Sequence, residues 1–164
     1  MNYNLIGNKY LIKPGYLIVN HDPTLVYGVV GSGMFVALWD EKKSYSACCS
    51  FLYPFTNNKE NLRGIYGNVA INWLIKKMKD QGSDIKDLKA HLMGGATNNM
   101  HKIGEENINI AKRILDKQNI EIITTDIGGK MGRKFIFDCQ NGQSVTFKTN
   151  KIRKSDWYPY PSNE

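Results

Sequence analysis

The stretch from Thr24 to Pro54 constrains this chain more than any other. Three apolar runs, TLVYGVV from Thr24, MFVALWD from Met34 and SYSACCSFLY from Ser44, are separated only by Gly31-Ser32-Gly33 and Glu41-Lys42-Lys43. Runs of this length, rich in β-branched and aromatic residues and bounded by glycine or charged breaks, read as strands. Further strands are expected at Tyr16–Val19, in LKAHLMGGA from Leu88, in IEIITTDIGG from Ile120, and in a hairpin RKFIFDCQNGQSVTFK from Arg133. The hairpin carries Asn141-Gly142, the pair that supplies the positive φ angles of a tight turn. Lys13-Pro14-Gly15 and the NHDP run from Asn20 read as turns.

Only two segments have helical period. In the first, Val69, Ala70, Trp73, Leu74 and then Lys77 or Met78 form an apolar face, closed by Gly82. In the second, IGEENINIAKRILDKQN from Ile103, the inward positions are Ile108, Ala111, Ile114 and Leu115. The strands fall in meander-like pairs, and the helices do not alternate with them. That predicts an α+β layered fold rather than a doubly wound sheet. One domain is expected over residues 1–150, followed by a Pro- and Asn-rich tail at 151–164 without clear period.

Composition narrows the class. With 41% hydrophobic and 23% charged residues, the chain reads as an ordinary soluble globule. No apolar run approaches the roughly 20 residues that span a bilayer, so no membrane insertion is expected. The N-terminus lacks a basic start followed by an apolar core, and a cytoplasmic location is the default. The net charge of +7 admits nucleic acid or an acidic protein as partner. Its lysines are scattered apart from Lys76-Lys77-Met78-Lys79 and the region from Lys148 to Lys154, which argues against nucleic acid. Of three cysteines, Cys48 and Cys49 are adjacent; neighbours on a strand point to opposite faces, so one buried thiol and one facing elsewhere are expected, and no bridge between them. His21, His91 and His101 show no metal-ligand spacing. No metal and no cofactor is expected.

A serine flanked by glycines between two strands is a position where nucleophiles stand, yet the next residue, Gly33, has no side chain. The ordered landmarks clarify this. They are Lys13-Pro14-Gly15, DPTLV from Asp22, Gly31-Ser32-Gly33, Leu38-Trp39-Asp40, SFLYP from Ser50, YGNVAI from Tyr66, MGGA from Met93, IGEENI from Ile103 and DIGGKMGRK from Asp126. Taken together from about Tyr10 to Thr149, they resemble the CheD family, the chemoreceptor glutamine deamidases of bacterial chemotaxis. The resemblance implies a mixed β-sandwich with helices packed on an outer face. It implies a thiol-hydrolase chemistry: a thiolate attacks the glutamine amide carbon, ammonia leaves, and water cleaves the thioester. That needs a sulfur, an imidazole in reach and donors for the oxyanion.

The resemblance puts the family's Cys at Gly33 and its His at Ser50, so these two are expected side by side. It puts an orienting hydroxyl at Tyr27 or Gly28, with Gly28 the closer match. Two charged positions of the family's first helix fall on Ile65 and Asn68. The scaffold is kept while the reactive positions are not. Ser32 and Cys48 remain as substitute nucleophiles, and His101, or less well His91, as a substitute base. Gly31, Ser32, Gly94, Gly95, Gly128 and Gly129 are expected around one retained binding groove. The favoured reading is a non-catalytic CheD-like protein that binds a protein partner, the receptor or a CheC-like phosphatase. The alternatives are a deamidase with a relocated nucleophile and a basic nucleic-acid-binding module.

Overall fold

The computed structural model describes residues 7–157. Among these, nine strands form two stacked sheets. One has four strands in the order β1 (Asn8–Leu11), β3 (Thr24–Val30), β8 (Gly132–Asp138), β9 (Ser144–Thr149). The other has five, in the order β2 (Leu17–Asn20), β5 (Tyr45–Phe51), β4 (Met34–Asp40), β6 (Leu88–Gly94), β7 (Glu121–Ile127). Helices α1 (Gly67–Asp80) and α2 (Ile103–Lys117) pack on the outer face of the five-stranded sheet. The fold is therefore α+β, a mixed sandwich with helices on one outside.

Burial explains the strand sequences. β4 and β5 are covered on both faces, by helices on one side and the second sheet on the other, so they read as continuous apolar runs. β8 has one open face and alternates: Arg133, Phe135 and Phe137 are buried while Lys134 and Ile136 are not. Two cores result. Met34, Val36 and Leu38 meet Ile71, Leu74, Met78 and Leu115 from the helices. Phe35 and Ala37 point the other way, with Val26, Phe135, Phe137 and Met93; Phe35 stacks on Phe135 at a centroid distance of 4.2 Å.

Several expectations change. The meander holds for β4·β5 and β8·β9, but β3 and β4 lie in different sheets, and Gly31-Ser32-Gly33 is a corner between sheets rather than a hairpin. β1·β3 and β6·β7 pair in parallel, the second because α2 is the crossover that returns the chain in the same direction. Cys48 and Cys49 do face opposite sides, but both are fully buried because both sides of the sheet are covered. Trp73 is 45% exposed. The buried stripe of α1 runs through Ala70, Ile71, Leu74, Ile75 and Met78, which leaves Trp73 at its margin beside Gly64. Strand β1 was not expected, because it forms by pairing with β3 rather than from its own pattern. Beyond Asn150, residues 154–157 form the one-turn α3 (Lys154–Trp157); the last seven residues lie outside those described.

His91 sits on β6 at 2% exposure with neither ring nitrogen hydrogen-bonded. Its ring stands edge-on to Phe137 at 5.0 Å. Burial lowers its pKa from 6.5 to about 4. Between those values the unfolded chain takes up a proton that the folded one refuses, so stability falls as pH drops from 6.5 and levels off below 4. The expected loss is about 3 kcal/mol at 1.36 kcal/mol per pH unit. Urea midpoints measured from pH 7 to pH 4 should show it, and His91→Leu should remove this part of the slope. An unchanged slope in that variant would mean that other groups carry the acid sensitivity.

Candidate functional site

Three turns converge at one end of the sandwich. The Ala96 N–H donates to the Gly31 carbonyl at 2.9 Å and the Gly95 N–H to the Gly33 carbonyl at 2.8 Å. The Gly128 N–H donates to the Gly94 carbonyl at 2.9 Å, and the Thr97 N–H to the Gly129 carbonyl at 2.7 Å. The approach is close enough to demand glycine. Gly94 has φ +116°, and a Cβ on it would lie 2.2 Å from the Gly33 carbonyl oxygen. The glycine pairs at 94–95 and 128–129 thus belong to the same cluster as the Gly31–Gly33 corner.

Asn107, on α2, ties this corner to the end of β5. Its Nδ2 donates to the Ser32 and Leu52 carbonyls, both at 2.8 Å. The residue is fully buried, and its Oδ1 has no partner. Sequence reading missed it, though a signal was there. Asn107 lies three and four residues before Ile110 and Ala111, on the apolar stripe of α2, where an amide needs a reason.

Three adjoining hollows open around Ser32. The first, about 300 Å³, includes Pro14, Gly31, Gly33, Ser50 and Ile152 in its lining. The second, about 310 Å³, includes Tyr53, Asn98 and His101. The third, about 240 Å³, includes Lys130, Thr149 and Asn150. Ser32 borders all three. Gly33 and Ser50 thus share one hollow, on the ends of neighbouring antiparallel strands, as Phe35 pairs with Ser50 and Met34 with Phe51. Asn98 and Ile152 are groove residues outside every landmark, and Tyr53 and Lys130 lie within SFLYP and DIGGKMGRK without having been singled out.

The two positions that the resemblance marks as reactive carry little side chain: a glycine and a serine. A Cβ on Gly33 would lie 2.6 Å from the Phe51 carbonyl oxygen and 3.1 Å from Leu52 Cδ2, so backbone occupies the space where a side chain would start. Ser50 is 1% exposed. Gly28 is not at this site. It pairs with Phe135 in the four-stranded sheet, and a Cβ there would meet the Phe135 ring at 2.9 Å. Gly28 and Tyr27 line a separate hollow. Asn68 closes a loop instead of carrying charge: it accepts from the Thr56 N–H at 3.0 Å and donates to the Thr56 carbonyl at 2.8 Å.

Of the substitutes, Cys48 lies in the core between the sheets and lines none of the three hollows. Burial, with the Cys139 thiol beside it, raises its pKa well above the ordinary thiol value; it stays protonated and is a poor nucleophile. Cys49, on the helix side, is likewise pushed up by burial. His91 is sealed beneath the sheet. Ser32 and His101 both line the second hollow, and both are exposed. The His101 ring makes no hydrogen bond among the described residues; only its backbone N–H is held, by Asn98 Oδ1 at 2.9 Å. Among the described residues no three His, Cys, Asp or Glu side chains gather to hold a metal. No helix among them is long and apolar enough to cross a membrane.

The fold and the groove define a class: a mixed β-sandwich with a glycine-built corner at one end. The family model described as CheD chemotactic sensory transduction matches residues 53–149. Similar proteins include a probable chemoreceptor glutamine deamidase CheD of Sulfurimonas denitrificans, 37% identical over 141 residues, covering 82% of this chain and 90% of that protein. A second, from Trichlorobacter lovleyi, is 30% identical over 139 residues, covering 82% and 86%. A third, from Clostridium acetobutylicum, is 32% identical over 131 residues, covering 73% and 77%. The chain belongs to the CheD family.

Proposed function

We propose that this chain is a non-catalytic CheD-like chemotaxis protein that binds a protein partner, a chemoreceptor or a CheC-like phosphatase, through the groove around Ser32. The observation that carries this reading is the environment of Gly33. The position that the family resemblance assigns to the nucleophile has no side chain, and the Phe51 carbonyl stands 2.6 Å from where its Cβ would be. The groove itself remains, with polar groups from Ser32, Asn98 and Lys130 and the Tyr53 ring at its mouth. Shape and hydrogen-bond donors suffice for binding; a thiolate is not required.

The test is direct binding. Titration calorimetry with a glutamine-bearing receptor cytoplasmic fragment, and separately with a CheC-like phosphatase, should detect one of the two. Ser32→Arg should weaken that binding about tenfold or more, a loss of about 1.4 kcal/mol, because Ser32 borders every hollow of the groove. Binding that ignores Ser32→Arg would remove the groove as the docking site. A second reading, hydrolysis by a relocated nucleophile, is supported by the shared hollow of Ser32 and His101 and is separated by the activity assay described below.

A further inference from the structure

The two outer faces of the sandwich are treated differently. That of the five-stranded sheet is covered by α1 and α2. Among the described residues, that of the four-stranded sheet meets only the one-turn α3, which lies against β3 and supplies Ser155 and Asp156 to the hollow there. The uncovered face is apolar. The register places Leu11, Tyr27, Ile136 and Val145 in one row across β1, β3, β8 and β9. Phe147 stands one row on, opposite Lys134. Ile136 is 42% exposed, Val145 53% and Phe147 59%. A hollow of about 440 Å³ opens here, with Leu25, Tyr27, Ile136 and Phe147 among its lining. Single exposed apolar residues need no explanation; a continuous row with a hollow beneath it does.

The charge around this face is one-sided. Lys134 is already paired with Asp156 at 2.6 Å. From Lys148 to Lys154 the sequence holds Lys148, Lys151, Arg153 and Lys154 with no acid among them. Lys9 stands at the opposite rim. Among the described residues, the ammonium groups of Lys9, Lys151 and Lys154 and the guanidinium of Arg153 form no ion pair with a carboxylate.

We propose that this face docks an acidic amphipathic helix of a partner protein, apart from the groove around Ser32. Four strands at about 4.8 Å spacing give an apolar row roughly 14 Å long. Apolar anchors at i, i+4 and i+7 of a helix span about 10 Å at 1.5 Å per residue, which fits within it. Carboxylates flanking such a stripe would meet Lys9 at the rim of the hollow and, on α3, Lys154, with Arg153 next to it in sequence. An extended segment added along the β9 edge would leave the hollow uncovered, and a flat bilayer would not fill it.

The probe is a fluorescein-labelled helical peptide of about 15 residues with Leu at i, i+4 and i+7 and Glu on the flanks. Its control has Lys in place of Glu. With the full chain, the acidic peptide should bind about tenfold or more tightly than the control, and salt should weaken it. Hydrogen exchange should slow in β8 and β9. Phe147→Thr, on an exposed edge strand, and the pair Arg153→Glu with Lys154→Glu should each weaken binding about tenfold. Exchange on the unmodified protein keeps the test valid if a variant folds poorly. Equal binding of both peptides, or protection of the Gly31–Gly33 corner instead, would overturn the proposal. So would absence of peptide binding together with adsorption to phosphatidylglycerol vesicles, or a concentration-dependent dimer that buries this face.

Discussion

Purified, unmodified protein is expected to release no ammonia from a glutamine-bearing receptor fragment. Loss of a nucleophile–base unit lowers turnover by about 10⁶-fold where it has been dissected, and the losses within such a unit are not independent. At this corner the family resemblance puts the nucleophile position at Gly33 and the base position at Ser50, a hydroxyl at 1% exposure. Backbone donors around Gly31 to Met34 would stabilise an oxyanion that nothing here creates. Rebuilding the pair tests the scaffold. Ser50→His enters a hollow of about 300 Å³. Gly33→Cys does not fit as the backbone stands, because its Cβ would lie 2.6 Å from a β5 carbonyl oxygen. Overpacking of that kind costs about 1–3 kcal/mol. The double variant is therefore expected to lose several degrees in Tm and to gain only slow activity, with neither single variant active. The readouts are enzymatic ammonia detection and a thermal melt on the same samples. Robust turnover by the unmodified protein, abolished by Ser32→Ala or His101→Ala, would move the chemistry to the second hollow and sink the non-catalytic reading. Turnover surviving both changes would put the active site elsewhere.

The order of elements was legible because strands and helices leave periodic marks. Thr24–Val30, Met34–Asp40 and the Asn141-Gly142 hairpin were each readable from a few residues. What escaped depends on contacts between distant segments. Nothing in Gly31-Ser32-Gly33 states that the chain changes sheet there; that follows from β4 needing cover on both faces. Parallel pairing of β1 with β3 has no local signature. For the site, resemblance located Gly33 and Ser50 in one hollow, but Gly28 lies outside it, because it sits further down β3 where the Phe135 ring fills the space a side chain would need. The environment of Gly33 was illegible in principle. Sequence records a missing side chain, whereas only coordinates reveal a carbonyl in its place. Asn107 was half legible, a polar residue on an apolar stripe whose purpose required its two acceptors.

Those acceptors make Asn107 the most consequential side chain at the corner. Asn107→Leu is nearly isosteric and improves intrinsic helix propensity, so α2 itself has no reason to weaken. The loss comes from the Ser32 and Leu52 carbonyls, each now without the 2.8 Å donor it has. Leaving a buried acceptor unmet costs about 1–3 kcal/mol, and for these two part-buried carbonyls the cost lies toward the low end of that range each. Removing the unpartnered Oδ1 offsets part of this, and a net cost of about 2 kcal/mol is expected. At about 2–4 °C per kcal/mol for a chain of this length, Tm should fall by about 4–8 °C. Asn107→Asp should be worse near neutral pH, by about 5 kcal/mol, because a carboxylate facing two carbonyls cannot donate and its charge is buried. Its sign with pH is then fixed. Burial raises the folded-state pKa above the unfolded value near 3.9, so this variant is least harmed in acid and loses stability as pH rises through neutral. Both variants should also speed hydrogen exchange at Gly31–Gly33 and Leu52, since Asn107 is the link that holds those two walls of the groove together. A Tm for Asn107→Leu within about 1 °C of the parent, a shift of less than about 0.5 kcal/mol, with unchanged exchange at the corner, would show that the two carbonyls are satisfied without it.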